Sequence, residues 1–165
     1  GGYLAQAVRP AKGLAVARAA GLIGNLSEHN LRNTFGAAAA KERFVLASLA
    51  DDGSAFADRF DANAFLYVSR AADAFDLAGD FGGNLSNAFS RAATRHCVFS
   101  FTSDWRYPPD EGHRVARALL AAGADAAFVE IDSDKGHDAF LLEEPEFRTV
   151  MKGFIDGCAW HRGIR

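Results

Sequence analysis

The chain has 165 residues, a formal net charge of −3 and a hydrophobic share of 49%, enough for one ordinary domain with a real core. Lys and Arg form no block or stripe, which argues against nucleic acid and against an anionic membrane surface as partners. No apolar run approaches the roughly 20 residues that span a bilayer, no signal peptide is visible, and the two cysteines, Cys97 and Cys158, fit no zinc or redox spacing. They read as reduced, buried thiols of a cytosolic protein.

Residues 1 to about 92 read as a series of amphipathic helices without a convincing strand. Pro10 precedes an Ala/Leu/Val/Ile pattern from Ala11 to about Ile23. Ser27 suits the cap of a second helix, with Gly36 as its stop. A third helix is expected from about Ala38 to Ala50, ended by the turn signal Asp51-Asp52-Gly53. A fourth begins near Asp61, where Phe65, Leu66, Val68, Ala72 and Phe75 fall at helical spacing, and a fifth covers about Leu85 to Ala93.

The pattern then changes. His96 to Phe101 is a short β-rich apolar run and suits a buried strand. After Pro108-Pro109 a helix starts at Asp110 or Glu111 and ends near Gly123. Ala126 to Ile131 is a second strand, followed by a polar loop over 132–138 and a last helix from about Pro145 to Trp160. Strand, helix, strand, helix indicates an α/β fold with a parallel sheet and crossover helices. The domain reading is therefore a helical region, 1–92, and an α/β region, 93–165.

In such sheets ligands bind beyond the carboxyl ends of the strands. Two polar clusters fall there: Thr102-Ser103-Asp104-Trp105-Arg106 and Asp134-Lys135-Gly136-His137-Asp138. An acid after one strand and a histidine after the next fits the last two members of an α/β-hydrolase triad, which runs Ser, Asp, His along the chain. His137 would then take a proton from a nucleophilic hydroxyl, and Asp104 would fix its tautomer and stabilise the imidazolium. Gly136 beside it would permit unusual backbone torsions. Spacing alone leaves the plainer readings open: a turn or cap for Asp104, a solvated loop group for His137. His29, His96, His113 and His161 read as surface or helix-end residues. No set of residues reads as a metal site.

The stretches SFTSDWRYPP, EIDSDKGHDAFLL and DRFDANAFLYVSRAADAFDLA closely resemble the homoserine O-acyltransferases, the acetyl- and succinyltransferases of methionine biosynthesis. RPAKGLAVAR and LSEHNLRNTFG fit the same family, so the resemblance covers essentially the whole chain. It implies the C-terminal part of an α/β-hydrolase fold, a helical lid region followed by the last parallel strands and helices. It also implies that a missing N-terminal half carries the nucleophile and oxyanion hole; G-x-S-x-G does not occur, and Ser103 precedes the acid on the wrong kind of turn. The opening Gly1-Gly2, without an initiator Met, reads the same way.

Carried over residue by residue, the resemblance makes Asp104 the triad acid and His137 the base. Asp138 matches the position that contacts the substrate ammonium, and Tyr3 an aromatic lining the amino-acid site. The implied reaction is ping-pong: an acyl group passes from acyl-CoA, a co-substrate rather than a bound cofactor, to the absent Ser and then to the homoserine hydroxyl. Arg106 bears on the acyl group. Acetyl-transferring members tend to have an apolar residue there and succinyl-transferring members an Arg, which can grip the free carboxylate of a succinyl group. A solvent-facing Arg106, or one paired with Asp110 or Glu111, is the plainer alternative. LASLADDG departs from the family pattern and is one residue shorter, so that lid segment is expected to pack or dimerise differently. Competing readings are an esterase of the same fold, a transferase acting on serine or another hydroxylated acceptor, and a non-catalytic helical module that dimerises through Leu14, Ile23 and Leu26. The isolated 165 residues are expected to aggregate or stay partly molten, since strands of a parallel sheet need neighbours.

Overall fold

The structure, a computed structural model, describes residues 10–35 and 42–164. They form helices α1 (Ala11–Asn25), α2 (Glu28–Phe35), α3 (Glu42–Arg59), α4 (Ala62–Asp73), α5 (Leu77–Asp80) and α6 (Leu85–Ala88), then β1 (His96–Phe101), α7 (Pro109–Ala121), β2 (Ala126–Ile131), a 3₁₀ turn (His137–Leu141) and α8 (Pro145–His161). The chain divides into two compact units. Among the described residues, one contains 10–25, 31–35 and 42–75, the other 26–30 and 76–164. The short helices α5 and α6 therefore group with the strands.

In the first unit α1 packs on α3. The expected stop at Asp51-Asp52-Gly53 does not occur, because α3 continues through it to Arg59. The reason is packing. A Cβ on Gly53 would lie 2.5 Å from the Ala15 carbonyl oxygen, so this glycine lets two backbones meet. Asp52 accepts a hydrogen bond from Arg18 Nε at 3.0 Å, and the Arg18 guanidinium lies over the Phe56 ring. Among the described residues, Leu14, Leu49 and Ala57 are the buried apolar ones here. Asp61 caps α4, accepting from Ala64 N at 2.8 Å.

The second unit is built on β1 and β2, which pair in parallel from His96↔Ala126 to Phe101↔Ile131. Both strands begin and end at the residues read from the sequence. Phe101, Ile131 and Ala139 form its buried centre, and Phe147 from α8 packs edge-on against Phe99 and Phe101. On α7, Gly112 allows close approach to the sheet, since a Cβ there would meet Ser100 and the Phe128 ring. Pro108 precedes α7 and Pro109 takes its first turn, where a missing N–H costs nothing. The expected fifth helix to Ala93 is only α6, which Asn84 caps and which ends at Ala88. Cys97 and Cys158 are half-buried rather than buried; burial, and then the neighbouring Cys158, pushes the Cys97 thiol above its ordinary value. Among the described residues no helix is long and apolar enough to cross a membrane.

Candidate active site

The parallel ladder delivers Phe101 and Ile131 side by side, so the loops after them start as neighbours. Thr102 N continues the pairing by donating to Ile131 O at 3.0 Å. The Thr102 hydroxyl accepts from Ser133 N at 3.0 Å and lies 3.0 Å from Asp132 Oδ1, to which it can donate. This stitch carries register from the strands into both loops.

Asp104 sits at the turn after β1 and is buried at 6% exposure, low enough that an unpaired carboxylate would be costly. It is fully partnered. Oδ1 accepts from the backbone N of Arg106 (3.0 Å) and of Tyr107 (2.9 Å). Oδ2 lies 2.8 Å from His137 Nδ1. Such a contact orients the ring and leaves Nε2 as the nitrogen for proton transfer. Tyr107 flanks the imidazole with ring centroids 5.2 Å apart, and Phe140 approaches at 6.1 Å. Phe99, Ser100, Tyr107, Gly112, His137 and Phe140 help to line a cleft of about 390 Å³.

His137 reaches this position through its neighbour. Gly136 has φ 77° and ψ −155°, a region essentially restricted to glycine. Its N–H donates to Ser103 Oγ at 2.9 Å. Ser103 therefore ties the acid loop to the histidine loop, a role the sequence did not disclose.

Beneath the histidine loop lies a cluster that no spacing pattern flagged. Glu144 is buried and receives Ser133 Oγ at 2.8 Å and Lys135 Nζ at 2.7 Å on the same oxygen. The Lys135 hydrogen bond first, then that from Ser133, holds the Glu144 carboxyl below its ordinary value against the opposing effect of burial. Residues 26–30 cover the loop from another side. Ser27 donates to the Asp134 carbonyl and also caps α2 by accepting from Asn30 N at 3.0 Å. Asn30 Nδ2 donates to Lys135 O at 3.2 Å, and His29 pairs with Asp134 at 2.9 Å. Trp105 Nε1 donates to Leu26 O at 3.2 Å. His29, read as a plain surface residue, thus touches the loop that bears His137.

Asp138 is half-buried beside His137, in the first turn of the 3₁₀ element. Arg106 is exposed, its guanidinium 5.7 Å from the Tyr107 ring centroid. The Glu111 carboxylate takes both contacts of Arg114, at 2.8 and 3.1 Å. Tyr3 lies outside the described residues. Leu14 is buried at 6% exposure, so it packs internally and offers no surface for a partner, whereas Ile23 is exposed. A cavity of about 730 Å³ is lined by α1 and α3 with mostly apolar residues, and no acid–histidine pair is among its lining residues. Among the described residues no group of three or more His, Cys, Asp or Glu could hold a metal ion.

The chain forms the C-terminal part of an α/β-hydrolase fold. A crystal structure of homoserine O-acetyltransferase from Bacillus anthracis superposes with a TM-score of 0.69 over 81% of this chain and 38% of that one, at 22% identity. An esterase structure superposes with a TM-score of 0.66 over 79% of this chain and 38% of that one, at 20% identity. No protein-family model matches the chain. Its sequence is 49% identical to the homoserine O-acetyltransferase of Caulobacter vibrioides over 99% of this chain and 46% of that protein. The corresponding protein of Mesorhizobium japonicum is 47% identical over 99% of this chain and 45% of its own length. By sequence, then, the chain is similar to homoserine O-acetyltransferases along essentially its whole length, and it spans about half the length of the curated relatives it matches.

Proposed function

We propose that the chain is the C-terminal portion of a homoserine O-acyltransferase, with 1–92 as its lid region and 93–165 completing the hydrolase core. The Asp104–His137 contact of 2.8 Å carries this reading. An N-terminal half supplies the serine and the oxyanion hole. His137 Nε2 accepts the serine proton as the hydroxyl oxygen attacks the acyl-CoA thioester carbonyl, and the proton leaves on the CoA thiol. In the second half-reaction His137 deprotonates the homoserine hydroxyl, which takes the acyl group from the serine, and the proton passes from His137 to the departing serine oxygen. Asp104 stabilises the imidazolium in both steps. Asp138 faces the substrate ammonium, and Tyr3 lines the amino-acid site. No bound cofactor is required, and the reaction belongs in the cytoplasm, feeding methionine synthesis.

For the donor we favour succinyl-CoA over acetyl-CoA. Arg106 follows the acid by two residues, and a guanidinium suits the distal carboxylate of a succinyl group. The relatives are named acetyltransferases, so the point is decided by measurement. The test is CoA release by the full-length protein with homoserine and each donor. Faster turnover with succinyl-CoA, lost in Arg106→Leu, supports the reading. Preference for acetyl-CoA removes the role of Arg106. Ester hydrolysis without CoA release returns the protein to the esterases. Exposed Val16 and Ile23 support self-association through the helical unit, with the present chain inactive alone.

A further inference from the structure

We propose that Glu144, with Lys135 and Ser133, is a positioning device for His137. The inference rests on the proton-transfer role just assigned to that histidine. Gly136 holds torsions that a free loop would seldom visit, and it delivers His137 to Asp104 only while they persist. Something must over-determine that conformation. The Ser103 hydroxyl fixes Gly136 from the acid loop. The residue before it, Lys135, is drawn by its ammonium onto the buried Glu144 at 2.7 Å. The residue two before Lys135, Ser133, meets the same carboxylate oxygen at 2.8 Å, and Lys135 N lies 3.3 Å from the Ser133 hydroxyl. One carboxylate thus anchors the loop at two points in the four residues before His137.

The Glu144 side chain is only about one-tenth exposed, so its charge has little water to fall back on if Lys135 leaves. Glu144 itself is held rigidly, since it immediately precedes α8 and its carbonyl accepts from Arg148 N at 3.1 Å. The loop is therefore referenced to the helix whose Phe147 packs on the two β1 phenylalanines. His137 and Asp104 are both positioned against that one body, the first through Glu144 and the second through β1.

The test uses the full-length protein and the variants Glu144→Gln and Lys135→Met. Two readouts are taken: kcat and KM with homoserine and acyl-CoA, and the low-field proton resonance of His137 Nδ1–H. A displacement of the imidazole by about 1 Å lowers turnover by up to about a hundredfold. The expected result is a kcat lowered at least about tenfold, KM for both substrates within about twofold, and a broadened or lost resonance. A kcat within twofold of wild type with a sharp, unshifted resonance overturns the proposal. So does a fall that appears in KM alone. If Glu144→Gln does not fold, Lys135→Met decides, because its side chain is partly exposed and its loss opens no core cavity. Should the wild-type protein release no CoA, the acyltransferase reading fails, and the resonance still decides whether Glu144 positions His137.

Discussion

The two units of this chain solve the problem of specifying a structure by different means. Around α1 and α3 the determinant is smallness: Gly53 and Ala15 let two helix backbones meet, and among the described residues few large side chains are buried. Around β1 and β2 the determinant is hydrogen bonding at strand ends, where Thr102, Ser103, Ser133 and Glu144 each fix a stated atom. The first arrangement depends on the absence of atoms and the second on their presence. The two are therefore expected to fail differently when altered.

The sharpest break is Asp104→Asn, a change that keeps shape and removes charge. In the full-length protein it is expected to lower kcat by about 10⁴-fold. Folding should suffer much less, because the backbone N–H groups of Arg106 and Tyr107 still find an acceptor oxygen. Turnover in the CoA-release assay that survives within tenfold removes Asp104 from the mechanism.

Gly53→Ala probes the helical unit. In an open helix this exchange stabilises by up to about 1 kcal/mol. Here the added methyl meets the Ala15 carbonyl, and the sign is expected to reverse, to a loss of about 1–3 kcal/mol. Gly13, which faces nothing within 4 Å, is the control and should follow the ordinary helix trend. Equal midpoints in chemical denaturation for both variants would contradict the proposed role of close approach.

The smallest effect concerns acidity. Glu144 is held below its ordinary value in the folded state, chiefly by Lys135. Its contribution to stability is therefore whole at neutral pH and is lost as the pH falls from the ordinary glutamate range through the lower folded value. Glu144→Gln should flatten that acid limb and leave the slope above pH 6 unchanged. A variant whose acid limb matches wild type argues that Glu144 contributes nothing through its charge.

The same contrast explains what could be read beforehand. Both strands and α8 were legible because apolar runs bounded by polar residues or proline leave few other options. The meeting of Asp104 and His137 was legible because both follow strands and sit in motifs that resemble a family. Asp51-Asp52-Gly53 misled because a turn and a helix crossing demand the same glycine, and only the neighbour, Ala15, tells them apart. Glu144 stayed hidden for a related reason. It lies 11 residues from Ser133 and 9 from Lys135, and no local period links a residue to the loop it will anchor.

Asp104 is held by peptide N–H groups at 106 and 107, and that mode of anchoring has an evolutionary consequence. Every amino acid but proline offers the same N–H. Positions 106 and 107 can therefore drift through nearly the whole alphabet without releasing the carboxylate. A lineage can vary the side chains at the mouth of the cleft while the contact between Asp104 and His137 stays in place.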